Sequence, residues 1–82
     1  MERTYNESFN ITINAVYDSL KKLGIKDYDS KAKEGKVCFG ENLLRLVQTK
    51  GKTKSESKND NDFIRALFEE INVSLKESVW KR

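Results

Sequence analysis

The chain has 82 residues, of which 16 are lysine or arginine and 13 are acidic, with a formal net charge of +3. This length fits one domain, residues 1–82, without room for a second hydrophobic core. The sequence has no histidine, the commonest general base and zinc ligand, and its one cysteine cannot form an internal disulfide. We therefore expect no enzyme activity and no metal or other cofactor, while the mild positive charge allows an anionic partner without requiring one.

The hydropathy of the chain argues against a membrane span. No apolar run approaches the roughly 20 residues that a membrane-spanning helix needs. The first residues, Met1–Asn6, contain no apolar signal-peptide core. The sequence therefore predicts a cytoplasmic protein, unless a signal sequence preceded Met1 and was removed.

The segment Ser8–Gly24 has the clearest helical pattern in the chain. Its apolar residues are spaced alternately four and three apart, which places them on one stripe of an α-helix. The stripe consists of Phe9, Ile13, Val16, Leu20 and Leu23. Asn6 or Ser8 can cap the first turn, and Gly24 is placed to end the helix in a left-handed conformation.

The start of this segment has an alternative interpretation. Phe9, Ile11 and Ile13 also alternate, which is typical of a strand over residues 8–13. We prefer the helix, because its spacing continues for two further turns and the capping residues agree with it. The helix leaves Ile11 facing solvent, where it is a candidate contact for a protein partner. Before the helix, Glu2–Asn6 is a candidate edge strand.

Two stretches in the middle of the chain predict strands. Lys36–Phe39 alternates, with Val37 and Phe39 on one face. Leu43–Thr49 also alternates, and the turn residues on both sides of it favour a strand over a short helix. Cys38 lies inside the first apolar run, so we expect a small core or half-buried residue rather than a reactive thiol.

Polar segments that contain glycine surround these strands. Ser30–Gly35 has the composition of a hairpin loop, and Lys50-Gly51 predicts a hairpin tip. The next residues, Lys52–Lys58, include no apolar side chain. If they return as a fourth strand, we expect an edge strand or a mobile loop, because a strand with two polar faces cannot lie over the core.

The second clear helix begins near Phe63, after the capping residues of Asn59–Asp62. Its apolar stripe consists of Ile64, Leu67, Phe68, Ile71 and Leu75. Arg65 and Glu69 lie four residues apart outside the stripe, where they can pair for a few tenths of a kcal/mol at most. Trp80 lies off the stripe, so the sequence leaves two roles for it: a lid over the core, or a contact for a partner or a second copy.

Two amphipathic helices thus flank three or four short strands whose tight connections suit an antiparallel meander. Since neither helix can bury its stripe alone, we predict a two-layer α+β sandwich with both helices on one face of the sheet. The pattern resembles small prokaryotic αββββα domains, which occur alone and in envelope lipoproteins and often have no known function. The resemblance rests on SFNITINAVYDSLKKLGI, DSKAKEGKV and FIRALFEEI. It implies the fold and no catalytic residues.

The densest basic run is the main candidate for contact with an anion or a nucleic acid. It consists of Arg45, Lys50, Lys52, Lys54 and Lys58. On a hairpin arm, such residues would give salt-sensitive, sequence-independent binding to phosphates, although lysines that guard an edge strand against aggregation produce the same pattern. No aromatic residue is interleaved with them, as stacking on bases would require.

These observations lead to two function hypotheses from different classes. The first is a non-enzymatic interaction domain of unknown role, which binds a protein or associates with itself through a sheet edge or through Trp80. The second is a weak nucleic-acid-binding protein that uses the basic run.

Overall fold

A computed structural model describes residues 1–80 of the chain, and their side chains as far as Glu77. Five strands and two helices follow one another along it in this order: β1 (Glu2–Tyr5), α1 (Phe9–Lys22), β2 (Asp29–Lys31), β3 (Lys36–Phe39), β4 (Asn42–Thr49), β5 (Lys52–Glu56) and α2 (Asp62–Trp80). A short 3-10 turn, Ala32–Glu34, connects β2 to β3. The four strands between the helices have the αββββα order that the resemblance implies, and β1 adds a fifth strand.

The five strands form one antiparallel sheet in the order β1-β5-β4-β3-β2. Strands β2 to β5 follow one another as the predicted meander, whereas β1 pairs with β5 and places Glu2 opposite Glu56. Both helices pack on the same face, where Val37, Leu44 and Leu46 are buried against them. The predicted two-layer α+β sandwich is therefore confirmed, with five strands.

Helix α1 has the predicted stripe and ends. The Ser8 side chain accepts a hydrogen bond from the Ile11 main-chain N–H at 3.5 Å, and Gly24 follows the helix with φ +81°. A strand over residues 8–13 is therefore wrong. Ile11 is half-buried and packs against the core, so the expectation that it faces solvent is also wrong.

Helix α2 buries the five apolar residues that its spacing predicts. Its start is capped by Asn61, whose side-chain oxygen accepts a hydrogen bond from the Ile64 main-chain N–H at 2.9 Å. The predicted pair between Arg65 and Glu69 does not form. Arg65 binds Asp60, five residues earlier in the connection before α2, at 3.0 Å, and Glu69 binds Arg3 of β1 at 3.1 Å.

Strand β5 lies between β1 and β4, so the prediction of an edge strand or a mobile loop is wrong. Its Thr53 and Ser55 side chains are fully buried on the helix side of the sheet. The Thr53 hydroxyl donates to the Glu7 carbonyl oxygen at 2.9 Å, and the Ser55 hydroxyl donates to the Arg3 carbonyl oxygen at 3.1 Å. A strand without apolar side chains can therefore cross the core, because its small hydroxyl groups are hydrogen-bonded to neighbouring main chain.

Cys38 is exposed, so the expectation of a core or half-buried residue is wrong. Its neighbours Val37 and Phe39 are buried beneath the helices. Because side chains alternate along a strand, Cys38 must project from the opposite face, which no second layer covers in the described part of the chain. The apolar composition of the run therefore does not imply that each of its residues is buried.

Gly35 marks a close approach between the loop before β3 and the main chain of β4. The Leu46 main-chain N–H donates to the Gly35 carbonyl oxygen at 2.7 Å. A Cβ atom at Gly35 would collide with the Leu46 carbonyl oxygen and lie 3.2 Å from Cε2 of Phe9. The left-handed φ of +68° also disfavours any other residue. Glycine is therefore required where this loop enters the sheet.

Candidate binding surface

The face of the sheet that points away from both helices is the candidate binding surface, and we call it the open face. Directly opposed residues on antiparallel strands project to the same face, and Leu44 and Leu46 point to the helices, so their strand neighbours identify the open face. It carries Glu2, Thr4, Asp29, Lys31, Lys36, Cys38, Leu43, Arg45, Val47, Thr49, Lys52, Lys54 and Glu56.

One row of opposed residues crosses all five strands of the open face. From β1 to β2 it consists of Glu2, Glu56, Arg45, Lys36 and Lys31. The row therefore begins with two carboxylates and ends with three cations. Arg45, which the sequence analysis singled out, lies at its centre.

Lys54 holds the two carboxylates at the acidic end of this row. Its ammonium group lies 2.9 Å from the Glu2 carboxylate and 3.7 Å from the Glu56 carboxylate. The hydrogen bond between Lys54 and Glu2, and then the attraction between their charges, lowers the pKa of Glu2 and raises the pKa of Lys54. Because the site is open to water, these pairs add little to stability. Their main effect is to occupy both carboxylates.

A groove of about 390 Å³ lies at one end of the open face, and we call it the Leu43 groove. Met1 and Leu43 line it; they are 42% and 36% exposed, and are two of the three exposed large hydrophobic residues through Glu77. Its cations are Lys36, Arg45 and Lys58, and its carboxylates are Glu2 and Glu56. The groove thus combines apolar surface with charge of both signs.

The cations of the Leu43 groove are only weakly paired. The nearest carboxylate to Lys36 is that of Glu34, at 4.0 Å from its ammonium group. Among the described side chains, Arg45 and Lys58 have no carboxylate within the 4.0 Å limit of an ion pair. Since Lys54 already contacts Glu2 and Glu56, the charge that remains for a ligand is positive.

The structure separates the predicted basic residues into different surroundings. Arg45 and Lys58 line the Leu43 groove, and Lys52 lies on the open face near the β4–β5 turn. Lys50 is in that turn with φ +30°, at the other end of the hairpin from the groove, and Lys54 is ion-paired. The basic run therefore does not act as one arm.

Of the two candidate protein contacts, Ile11 does not belong to this surface. Ile11 packs against the core on α1, as described above. Trp80 is the last residue of α2, and its side chain lies outside the described residues.

Sequence reasoning missed Lys36 and Leu43 as parts of a binding surface. The alternation of Lys36–Phe39 already placed Lys36 on the other face of the strand from Val37 and Phe39. The alternation of β4 likewise placed Leu43 on the other face from Leu44. The alternation therefore already indicated which of these residues share a face of the sheet. They did not show that the two strands join Leu43 and Lys36 to one groove, because that follows from the register.

The described residues hold neither a cluster of metal ligands nor a helix that could span a membrane. No group of three or more histidine, cysteine or acidic residues in this part of the chain is arranged to hold a metal ion. Helices α1 and α2 are both too polar or too short, over the residues described, to cross a membrane. Cys38 lies on the open face opposite Leu43, without a second cysteine in the sequence.

Comparisons with known proteins add no relative. No protein family, curated protein or solved structure matches this chain. The likeness to small αββββα domains therefore stays a resemblance in the order of elements.

Proposed function

We propose that this chain is a non-enzymatic interaction domain and that the open face of the sheet is its binding surface. One observation carries the proposal: two helices cover one face of the sheet, while the other face presents Leu43 among cations. Arginine and methionine are enriched in protein interfaces, and Arg45 and Met1 both line the Leu43 groove.

Binding through a sheet edge has less support. Because β5 is interior, the edges are β1 and β2. Strand β2 has three residues, two of them Asp29 and Lys31, and β1 has four, including Glu2 and Arg3. Short, charged edge strands are the usual protection against pairing with another chain. Self-association is therefore better placed on the open face than at an edge.

Selection of peptide ligands tests the proposal. Peptides from a random displayed library are selected on the wild-type chain and then measured against two double variants. The first, Leu43→Ser with Arg45→Gln, alters the open face; the second, Val73→Ser with Lys76→Gln, makes matched changes on the exposed side of α2. We expect the selected peptides to lose about tenfold or more in affinity for the first variant only. Peptides that bind both variants equally would contradict the proposal.

Sedimentation over a range of protein concentrations tests self-association separately. If two copies associate through the open face, the average mass should rise with concentration in the wild type and in the α2 variant, and not in the open-face variant. A monomer at every concentration would remove self-association and leave a different partner for the same surface.

Weak nucleic-acid binding is the second candidate function, supported by the register that puts Arg45, Lys36 and Lys31 in one row. It predicts affinity for single-stranded DNA that falls steeply with salt, because phosphate binding releases counterions. The variant Arg45→Gln with Lys36→Gln, which removes two cations of this row, should weaken that binding. Unchanged binding in this variant, or none at low salt, would remove the candidate.

A further inference from the structure

We propose that the Leu43 groove binds an acidic, partly apolar peptide segment, with a peptide carboxylate on Arg45 and Lys58 and an apolar side chain on Leu43. The inference rests on the proposed function, because it names the chemistry of the partner for the same surface. It is carried by three features of the groove: its apolar lining, the two cations Arg45 and Lys58 that have no ion pair among the described side chains, and the spacing between the apolar group and the cations.

The apolar lining of the groove is a surface that a ligand can cover. Met1 and Leu43 are among the most exposed large hydrophobic side chains through Glu77, and they share this groove. The third exposed residue of this kind, Val73, lies on α2, away from it. Covering the groove with an apolar side chain would remove this surface from water, which favours binding.

The charges of the groove select an anionic ligand. Lys54 binds Glu2 at 2.9 Å and lies 3.7 Å from Glu56, so the carboxylates of the groove already have a cation beside them. Arg45 and Lys58 have no such partner among the described side chains, and Lys36 has only Glu34 at 4.0 Å. A carboxylate from a ligand can therefore approach Arg45, which binds carboxylates in a bidentate manner.

The spacing of the groove matches an extended peptide. Leu43 and Arg45 lie two residues apart on the same face of β4, so their side chains are separated by about 6.6 Å along the strand. In an extended peptide, side chains two positions apart also share one face and have the same separation. A segment with leucine two residues from glutamate would therefore place both groups over their partners, whereas adjacent leucine and glutamate would point to opposite sides.

A peptide explains these features better than a nucleic acid or a second copy. Phosphate contacts would use the cations and would leave Leu43 and Met1 without a role, and the open face has no aromatic residue for a base to stack on. A second copy that used the same face would bring its own cations; of its carboxylates there, Glu2 and Glu56 are held by Lys54, and Asp29 lies on the edge strand β2, outside the groove. A separate acidic segment meets neither difficulty.

Four synthetic peptides test the inference in NMR titrations of the ¹⁵N-labelled chain. Each has a glycine-serine background with both ends blocked. The first has Glu-Ser-Leu-Ser-Glu at its centre, the second replaces both glutamates by glutamine, the third replaces leucine by serine, and the fourth moves leucine next to a glutamate. We expect the first peptide to shift the amide signals of Leu43, Arg45 and Lys58. The other three peptides should bind at least about tenfold more weakly.

Matched protein variants locate the contacts. Leu43→Ser and Arg45→Gln should each weaken the first peptide severalfold, and added salt should weaken it further in the wild type. Val73→Ser and Lys21→Gln, which change an exposed apolar residue and a cation elsewhere, should leave the affinity unchanged. All four positions are exposed, and the dispersion of the amide spectrum verifies that each variant is folded.

The remaining outcomes overturn the inference in distinguishable ways. Equal binding of the glutamine peptide would show that charge does not select the ligand, while leaving the open face as the binding surface. Single-stranded DNA that shifts the same amides at lower concentration than the first peptide would assign the groove to nucleic acid. Shifts confined to α1 or α2 would overturn this inference and the proposed function together.

Discussion

Leu43 and Leu44 are neighbours in β4, yet they lie in opposite surroundings. Leu44 is fully buried beneath the helices, and Leu43 is 36% exposed in the groove of the open face. The same contrast holds for the two sides of the whole sheet: one carries apolar and hydroxyl groups in the core, and the other carries charges. The core and the proposed binding surface therefore lie on opposite faces of the same strands, so that substitutions can separate stability from binding.

The largest effect is expected at Gly35, because both faces of the sheet depend on the close approach of this residue to β4. The contrast depends on the alignment of β3 with β4, and Gly35→Ala would push its Cβ into the Leu46 carbonyl oxygen in a left-handed conformation. We expect a loss of about 3 kcal/mol or more in the free energy of unfolding, measured with a chemical denaturant. The loss combines backbone strain with the displaced hydrogen bond to Leu46.

Gly51→Ala is the matched control for this prediction. Gly51 also has a left-handed φ, +79°, but nothing lies within 4 Å of where its Cβ would be. Its substitution should cost only the backbone strain, about 1–2 kcal/mol. If both variants lose the same free energy, the close approach at Gly35 does not constrain the sheet.

The two leucines test the contrast directly. Leu44→Ala should lower the free energy of unfolding by about 2–5 kcal/mol, because it leaves a cavity under the helices. Leu43→Ala should change it by no more than about 0.5 kcal/mol, as is usual for exposed positions. Denaturant titrations of both variants measure the difference. Similar losses would mean that the open face also contributes to the core.

The buried hydroxyl groups of β5 allow a test of whether the covered face needs their hydrogen bonds for stability. Ser55→Ala removes the hydrogen bond from the Ser55 hydroxyl to the Arg3 carbonyl oxygen, which attaches β5 to β1. We expect a loss of about 0.5–1.5 kcal/mol in the free energy of unfolding. An increase in stability would show that an apolar side chain suits this position better, and that the hydroxyl does not explain the central place of β5.

The smallest effect is expected for the ion pair of Lys54 on the open face. Glu2 has its pKa lowered from the ordinary 4.5, so its contribution is present above that value and is lost as the pH falls through the lowered pKa. Lys54 has its pKa raised from 10.5, so its contribution is present below that value and is lost as the pH rises through the raised pKa.

Comparing the wild type with Lys54→Met over a range of pH tests this pair. The difference in unfolding free energy should be small and level at neutral pH, and it should decrease towards both the acidic and the alkaline end. A difference that does not change with pH would mean that Lys54 contributes through its aliphatic chain alone.

The parts of the fold that the sequence predicted are those with a periodic apolar signal. The stripes of α1 and α2, the strands β3 and β4 and the turn at Lys50-Gly51 all form where local spacing and turn residues placed them. In each case the property that decides the structure, side-chain direction or backbone conformation, depends on residues a few positions apart.

The parts that the sequence did not predict depend on distant partners. Lys52–Glu56 became a central strand because Thr53 and Ser55 bond to carbonyl groups about fifty positions earlier in the chain, at Glu7 and Arg3. The exposure of Cys38 depends on the absence of a second layer over one face. The Leu43 groove likewise exists only once the register brings β3, β4 and the residues after β5 together.

The pairing of β1 with β5 joins strands that are far apart in sequence. Strands β2 to β5 are joined by short connections and can pair one after another. Glu2, in contrast, meets Glu56 only after a loop of more than fifty residues has closed. Closing such a loop has an entropic cost that local hairpins avoid, and non-local pairing slows folding. During synthesis, β1 is therefore made before β2 to β5, and the sheet can be completed only after β5 has also left the ribosome.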